Sequence, residues 1–595
     1  VGAALDIGLG VLLLWPAVSG GRARRPFAVA ALTGLAAVGG TAFLVRLDDF
    51  KMASGVFRQG ELLQPGEQRL LFHEDGKTAT VSLVEDSANG MRSIRTNGKS
   101  DAAIGMRPGM PPTSDEYTMA LLAAVPVMVH PEARRAAVIG FGSGMTTHAL
   151  LGCPGIESVE TIEIEPKMVE AARHFRPVVE RAFSDPRGRV FIDDAKTFFS
   201  THGRKYDVIV SEPSNPWVSG VAGLFSREFY RLVRRHLSDG GIFVQWVQLY
   251  EIDLPLVASV LKALEPEFAD YAMFAPNDGD LLIVASVDRP LPATLDARLL
   301  GAPEFADLSR RLELATVQDV LARKVGTKRV LSGWLASVTV PANSDYHPFI
   351  DQHAARARFR GSFVSDLLDF SRVPLPALEM LSGSAALPQT TQVTPSSYSD
   401  LSTRAFVATG LRDYHRSGTT DPRTAALAPE LFAKAARLGE LLRACGSGNA
   451  SLERLDLMFN MSVAMAPYLS RTEMEEFWRS LETRPCWPSI SPEERQWYAL
   501  LRAVALREGQ GMVEASGELL RSPGARTGPA GRYVVSAAML GAIASGDAAA
   551  AGRIWSDFAP ALFGAEKPEL LFQVLQAESR RGASGGRRDP SGARQ

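Results

Sequence analysis

Runs of glycine and carboxylate in the middle of the chain carry the chemistry that can be read first. Gly140-Phe141-Gly142-Ser143-Gly144 follows the apolar run Ala137-Val138-Ile139 and opens a helical stretch. Glycines at such a junction let the backbone approach a ligand, and a helix start offers free N–H groups. Glu163-Ile164-Glu165 closes the next apolar run, where a carboxylate accepts hydrogen bonds from ribose hydroxyls. Asp193-Asp194 closes a third and is placed to meet an adenine amino group. Ser211-Glu212-Pro213-Ser214-Asn215-Pro216-Trp217 closes a fourth, and its prolines stiffen a loop that aims Glu212 and Asn215 at whatever lies above the nucleoside. One G-x-G turn can serve strand-to-helix packing alone, and one Glu can be a solvated cap. Together, in register, they favour a nucleoside with an amine or cation above it.

These ends need a common scaffold. Residues 136–290 alternate strand and helix: Ala137-Val138-Ile139-Gly140, Val159 to Glu163, Arg189 to Ile192, Tyr206 to Val210 and Gly241 to Gln245. That order specifies an α/β, doubly wound parallel Rossmann-like sheet with ligands at the carboxyl ends of its strands. Ahead of it, residues 70–97 alternate about an Asp75-Gly76 turn, as a small antiparallel β subdomain does. After about residue 290 helical periodicity dominates, with Pro/Ser/Thr-rich breaks at 388–399 and 522–529. The expected division is a β subdomain at 51–105, a nucleoside-binding domain at 106–290, a helical extension at 291–370, packed helix pairs at 371–579 and an unstructured tail at 580–595.

The first fifty residues differ in composition. Residues 1–20 are apolar except for Asp6, and residues 26–45 carry no charge. Each is long enough to cross a bilayer core of about 30 Å as a helix. With Gly-Gly-Arg-Ala-Arg-Arg between them, they read as a transmembrane hairpin, the end of a larger membrane region, with a buried soluble hairpin as the other reading. The expected location is therefore a bacterial inner membrane, multi-pass, in contact with membrane lipid. Arg22, Arg24 and Arg25 argue for a cytoplasmic loop, whereas Arg46, Lys51 and Arg58 argue for a cytoplasmic main domain.

Composition excludes other classes. Among 595 residues, Lys+Arg 64 against Asp+Glu 66 removes the basic excess that nucleic-acid binders show. Cys153, Cys445 and Cys486 lie far apart, which indicates neither a disulfide framework nor a zinc site. None of the nine histidines has H-x-x-x-H spacing, so no metal is assigned.

Between about residues 60 and 290 the chain resembles the spermidine synthase (polyamine aminopropyltransferase) family, and within it a membrane-fused bacterial branch. The resemblance is carried by Asn97-Gly98-Lys99-Ser100-Asp101, Asp115-Glu116-Tyr117, the Gly140 to Gly144 loop, Glu163, Asp194, Glu212 to Trp217, Leu224 to Tyr230 and Gln245 to Tyr250. Asn343 to Pro348 looks like the closing stretch of that branch, and nothing in the resemblance covers the last two hundred residues. It implies a class I methyltransferase-like sheet. It also implies that Gly140, Gly142 and Gly144 line a sulfonium nucleoside, that Glu163 binds its ribose and that Asp194 meets its adenine. Glu212 takes the place of the catalytic aspartate. Asn215 stands where the soluble enzymes carry a second aspartate, Asp101 where they carry glutamine, and Met119-Ala120-Leu121 where they carry Tyr-His-Glu. Asp101 and Asp115 can restore the missing negative charge if their loops fold over the site, and Gln245 is placed with them at the amine.

The expected activity is aminopropyl transfer from decarboxylated S-adenosylmethionine to a polyamine-type acceptor, with no tightly bound cofactor and a cytoplasmic catalytic domain that the cytosolic donor can reach. A methyltransferase using S-adenosylmethionine on the same fold stays open, since fold does not settle which sulfonium substituent moves. A non-catalytic nucleoside- or polyamine-sensing module coupled to membrane helices also stays open. Beyond the small molecules, expected partners are a second copy of the chain and a protein held by the C-terminal helices.

Overall fold

A computed structural model describes residues 6, 8–13, 24–44, 48–383, 393–444 and 449–585. The alternating segment forms a four-stranded antiparallel meander in the order β1 Gln68–Asp75, β2 Thr80–Asp86, β3 Met91–Thr96 and β4 Lys99–Gly105. The Asp75-Gly76 turn joins β1 to β2, with the Gly76 N–H donating to the Ala79 carbonyl at 2.9 Å. Asn97-Gly98 joins β3 to β4 with φ of 49° and 80°, the left-handed pair that a tight hairpin turn demands. Within β4 the pairing passes from Arg95↔Ser100 to Ile94↔Ala102, so Asp101 is the extra residue of a bulge.

The main sheet has eight strands: β5 Arg135–Ile139, β6 Ser158–Glu163, β7 Gly188–Ile192, β8 Tyr206–Ser211, β9 Leu237–Gln248, β10 Asp270–Phe274, β11 Asp280–Ser286 and β12 Lys324–Thr327. Their spatial order is β12-β10-β11-β9-β8-β5-β6-β7. The five strands read from the sequence are parallel to one another. To the parallel sheet expected from the sequence, β10, β11 and β12 add an antiparallel edge, so the sheet is mixed. Strand order reverses between β5 and β8, the point at which an open α/β sheet leaves a crevice for ligands.

The C-terminal helices continue the core from that antiparallel edge. The helix Lys328–Ser337 follows β12 directly, and Trp334 on it is buried. The Trp334 indole N–H donates to Gln573 Oε1 at 3.1 Å, on the last described helix, Leu570–Gly585. That helix runs into the stretch expected to be an unstructured tail; residues 586–595 lie outside the described residues.

The expected membrane placement is corrected as well. Among the described residues no helix is long and apolar enough to cross a membrane. The helix Arg24–Leu44 draws two arginines of the expected loop into its first turn, and eleven of the twenty residues from 26 to 45 are Ala, Gly or Thr, which contribute little to insertion. Most of the other expected span, residues 1–20, falls outside the described residues. Cys486, one of three cysteines whose spacing indicated no disulfide framework, is disulfide-bonded. Cys153 is a free, buried thiol.

Candidate active site

A cavity of about 880 Å³ opens at the carboxyl ends of β5, β6, β7 and β8. Gly140 follows β5 with φ of 93°, and a Cβ there would stand 2.4 Å from the Glu212 carbonyl oxygen, so only glycine lets the ends of β5 and β8 come together. Gly142 has φ of 52° and nothing within 4 Å of a Cβ position, which leaves its backbone open to the cavity. Gly144 does not line the cavity; it is buried and caps the helix Met145–Leu151.

Glu163 ends β6. Its Oε2 accepts from the Phe141 N–H and its Oε1 from the Glu165 N–H, both at 2.8 Å. Burial pushes its pKa up, and those two N–H groups pull against that shift. Glu165 reaches across to the β1–β2 hairpin, accepting from the Thr78 N–H at 2.6 Å and its hydroxyl at 2.9 Å, which holds the hairpin over the cavity. Asp194 is exposed at the cavity edge and caps the helix Ala195–Thr201 by accepting from the Thr197 N–H at 2.9 Å.

Three further carboxylates converge on the same cavity. Glu212 accepts from the Thr146 hydroxyl at 2.6 Å. Burial drives its pKa up to about 8, against the pull of the Thr146 bond and with a further push from Asp280 and Asp115. Asp115 accepts from the Ala103 N–H at 2.8 Å. Burial, with Asp280 nearby, raises its pKa to about 7. Asp280 opens β11 and is held by neutral donors: the Thr118 hydroxyl at 2.6 Å, Asn277 Nδ2 at 2.9 Å and the Trp246 indole N–H at 3.1 Å. Its pKa is also raised, chiefly by burial. Among the described residues none of the three forms a salt bridge.

The lining contains nine carboxylates and three cations, and each of the cations already has a carboxylate. Arg58 pairs with Glu251 at 3.6 Å, Lys196 with Asp345 at 2.8 Å and Lys99 with Asp101 at 2.6 Å. Asp101 thus lines the cavity with an ammonium already on it. Asn215 and Gln245 are fully buried behind the lining and do not reach the cavity wall. Gln245 Nε2 donates to the Trp246 carbonyl at 3.0 Å, and Gln245 Oε1 has no hydrogen-bond partner among the described residues.

Sequence reasoning missed four contributors. Asp280 was legible in principle as a charge opening the apolar run Leu281 to Ala285. Thr146 and Lys99 sit inside motifs read for other residues. Tyr398 gave no signal: it comes from the region beyond the resemblance, and it reaches the cavity because the Asp278 N–H donates to its carbonyl at 2.9 Å and its ring meets Tyr117 at 6.1 Å.

Residues 116–276 match the family model described as spermine/spermidine synthase domain. A polyamine aminopropyltransferase of Nitrosomonas europaea is 31% identical over 183 residues, 30% of this chain and 56% of that protein. One from Aeropyrum pernix is 28% identical over 262 residues, 40% of this chain and 80% of that protein. The crystal structure of spermidine synthase from Thermotoga maritima aligns at 19% identity over 41% of this chain and 88% of that one, with a TM-score of 0.31. The family match is confined to residues 116–276, and the chain spans little more than half the length of the first of these relatives.

Proposed function

We propose, from the spermine/spermidine synthase domain that residues 116–276 match, that this chain is an aminopropyltransferase that uses decarboxylated S-adenosylmethionine and an amine acceptor. The observation that carries the reading is the convergence of Glu212, Asp115 and Asp280, none of them in a salt bridge among the described residues, on the cavity that Gly140, Gly142 and Glu163 also line. Gly142 offers its backbone to the nucleoside, Glu163 meets the ribose hydroxyls and Asp194 the adenine. Gly144, Asn215 and Gln245 shape the walls from behind.

The reaction is an in-line displacement. A neutral amine nitrogen attacks the methylene carbon bonded to the sulfonium; the C–N bond forms as the C–S bond breaks. The electron pair goes to sulfur, and methylthioadenosine leaves as a neutral thioether. The amine's proton passes to Glu212, whose raised pKa suits a base working near neutrality. Most of the remaining barrier reduction comes from holding nitrogen and carbon in line.

Transfer of a methyl group is the second reading. Its donor brings an α-carboxylate, and the three cations of the lining are each engaged with a carboxylate already, so the acidic wall disfavours it. Incubating the purified chain with either donor and a panel of amines, scored by mass, separates the two. Aminopropyl adducts with equimolar methylthioadenosine support the proposal. Methyl adducts, or no adduct from any amine, contradict it.

A further inference from the structure

Lys99 is a buried ammonium within the candidate active site. It opens β4 directly after the Asn97-Gly98 turn, and its side chain keeps only 4% of its exposure. Nζ donates to Asp101 Oδ1 at 2.6 Å and to Ser214 Oγ at 3.0 Å. Ser214 donates to the same Asp101 oxygen at 2.8 Å, and Thr96 donates to the other one. The β4 bulge turns Asp101 into this arrangement. A buried Lys is costly unless paired and hydrogen-bonded, so its geometry here is built.

The place matters as much as the pairing. Ser214 lies two residues beyond Glu212, which ties the ammonium to the loop of the proposed base. The charge of Lys99 also pulls down the pKa values of Asp115 and Asp280, so the three share one electrostatic neighbourhood. An acidic wall suited to the ammonium groups of an acceptor therefore already holds one, supplied by the chain.

We propose that Lys99 determines acceptor specificity: its ammonium fills the Asp101 position in place of one ammonium of the acceptor, so the site takes a diamine in preference to a triamine. This rests on the transferase reading above. A diamine that attacks through its neutral nitrogen brings one ammonium, for which Asp115 and Asp280 remain. A triamine brings a second, which finds Asp101 occupied and meets like charge at close range.

The test compares kcat/KM for 1,4-diaminobutane and spermidine, with decarboxylated S-adenosylmethionine, in the wild type, Lys99→Met and Lys99→Arg. The wild type and Lys99→Arg favour the diamine. Lys99→Met, which keeps the stem and removes the charge, moves the ratio toward spermidine by at least about tenfold, mainly through KM. A wild type that favours spermidine, or a ratio unmoved in Lys99→Met, overturns the inference, and the wild-type preference decides even where Lys99→Met fails to fold. If no amine is turned over by any variant, the transferase reading fails instead. Calorimetry with the same two amines then decides: a gain in spermidine affinity in Lys99→Met supports the role of Lys99, and unchanged affinity rejects it.

Discussion

The Thr146 hydroxyl donates to Glu212 Oε2 at 2.6 Å, which joins the helix behind the glycine turn to the carboxylate at the end of the neighbouring strand. The bond opposes the burial that raises the Glu212 pKa to about 8. Thr146→Val removes the donor and keeps the shape. Hydrogen bonds to charged groups contribute about 1.5–3 kcal/mol, so the acid limb of the kcat/KM profile moves up by about one to two pH units. A limb that stays in place removes Glu212 as the titrating base.

The same carboxylate makes stability depend on pH. Its pKa is about 8 in the folded chain against an ordinary 4.5, so between those values the native state binds more protons than the unfolded one. The sign follows: stability falls as pH rises from about 4.5 toward 8. Glu212→Gln cannot ionise, and its Tm gain over the wild type should be larger at pH 8.5 than at pH 5. Equal gains at both pH values would mean that the carboxylate is not desolvated.

Much of this site was legible in the sequence because period-2 and β–α alternation fix where strands end, and ends are where ligands sit. β5 to β9 were each read from their apolar runs, and with them the placement of Gly140, Glu163, Asp194 and Glu212. The antiparallel edge was not read: buried runs such as Leu281 to Ala285 have no alternation to separate strand from core helix. Asp280 was lost with it. The Lys99–Asp101 pair escaped for another reason, since a bulge changes which way a side chain points and leaves no compositional trace. Uncharged length at residues 26–45 suggested a membrane span, although more than half of that run is Ala, Gly or Thr.

Glu163 accepts two backbone N–H groups, and its remaining lone pairs are the ones that the proposed nucleoside's ribose hydroxyls would use. Glu163→Ala should weaken methylthioadenosine binding at least about tenfold, given about 1.5–3 kcal/mol for each charged hydrogen bond lost. Calorimetry measures it, with Tm recorded to show that the fold persists. Unchanged affinity would move the nucleoside elsewhere.

Tyr398 carries the C-terminal region into the wall beside Asp278, whose N–H donates to its carbonyl. Tyr398→Ala should raise KM for the amine several-fold and leave donor affinity unchanged, because it removes a contact made alike before and during the reaction. A variant in which only donor binding falls would place Tyr398 on the nucleoside side.

The most direct measurement is the rate of the chemical step in Glu212→Gln against the wild type, in single turnovers with decarboxylated S-adenosylmethionine and 1,4-diaminobutane. A positioned proton acceptor contributes about a hundredfold to ten-thousandfold. The account predicts a loss of at least about a hundredfold, with methylthioadenosine affinity nearly intact. A variant that transfers the aminopropyl group as fast as the wild type would contradict it.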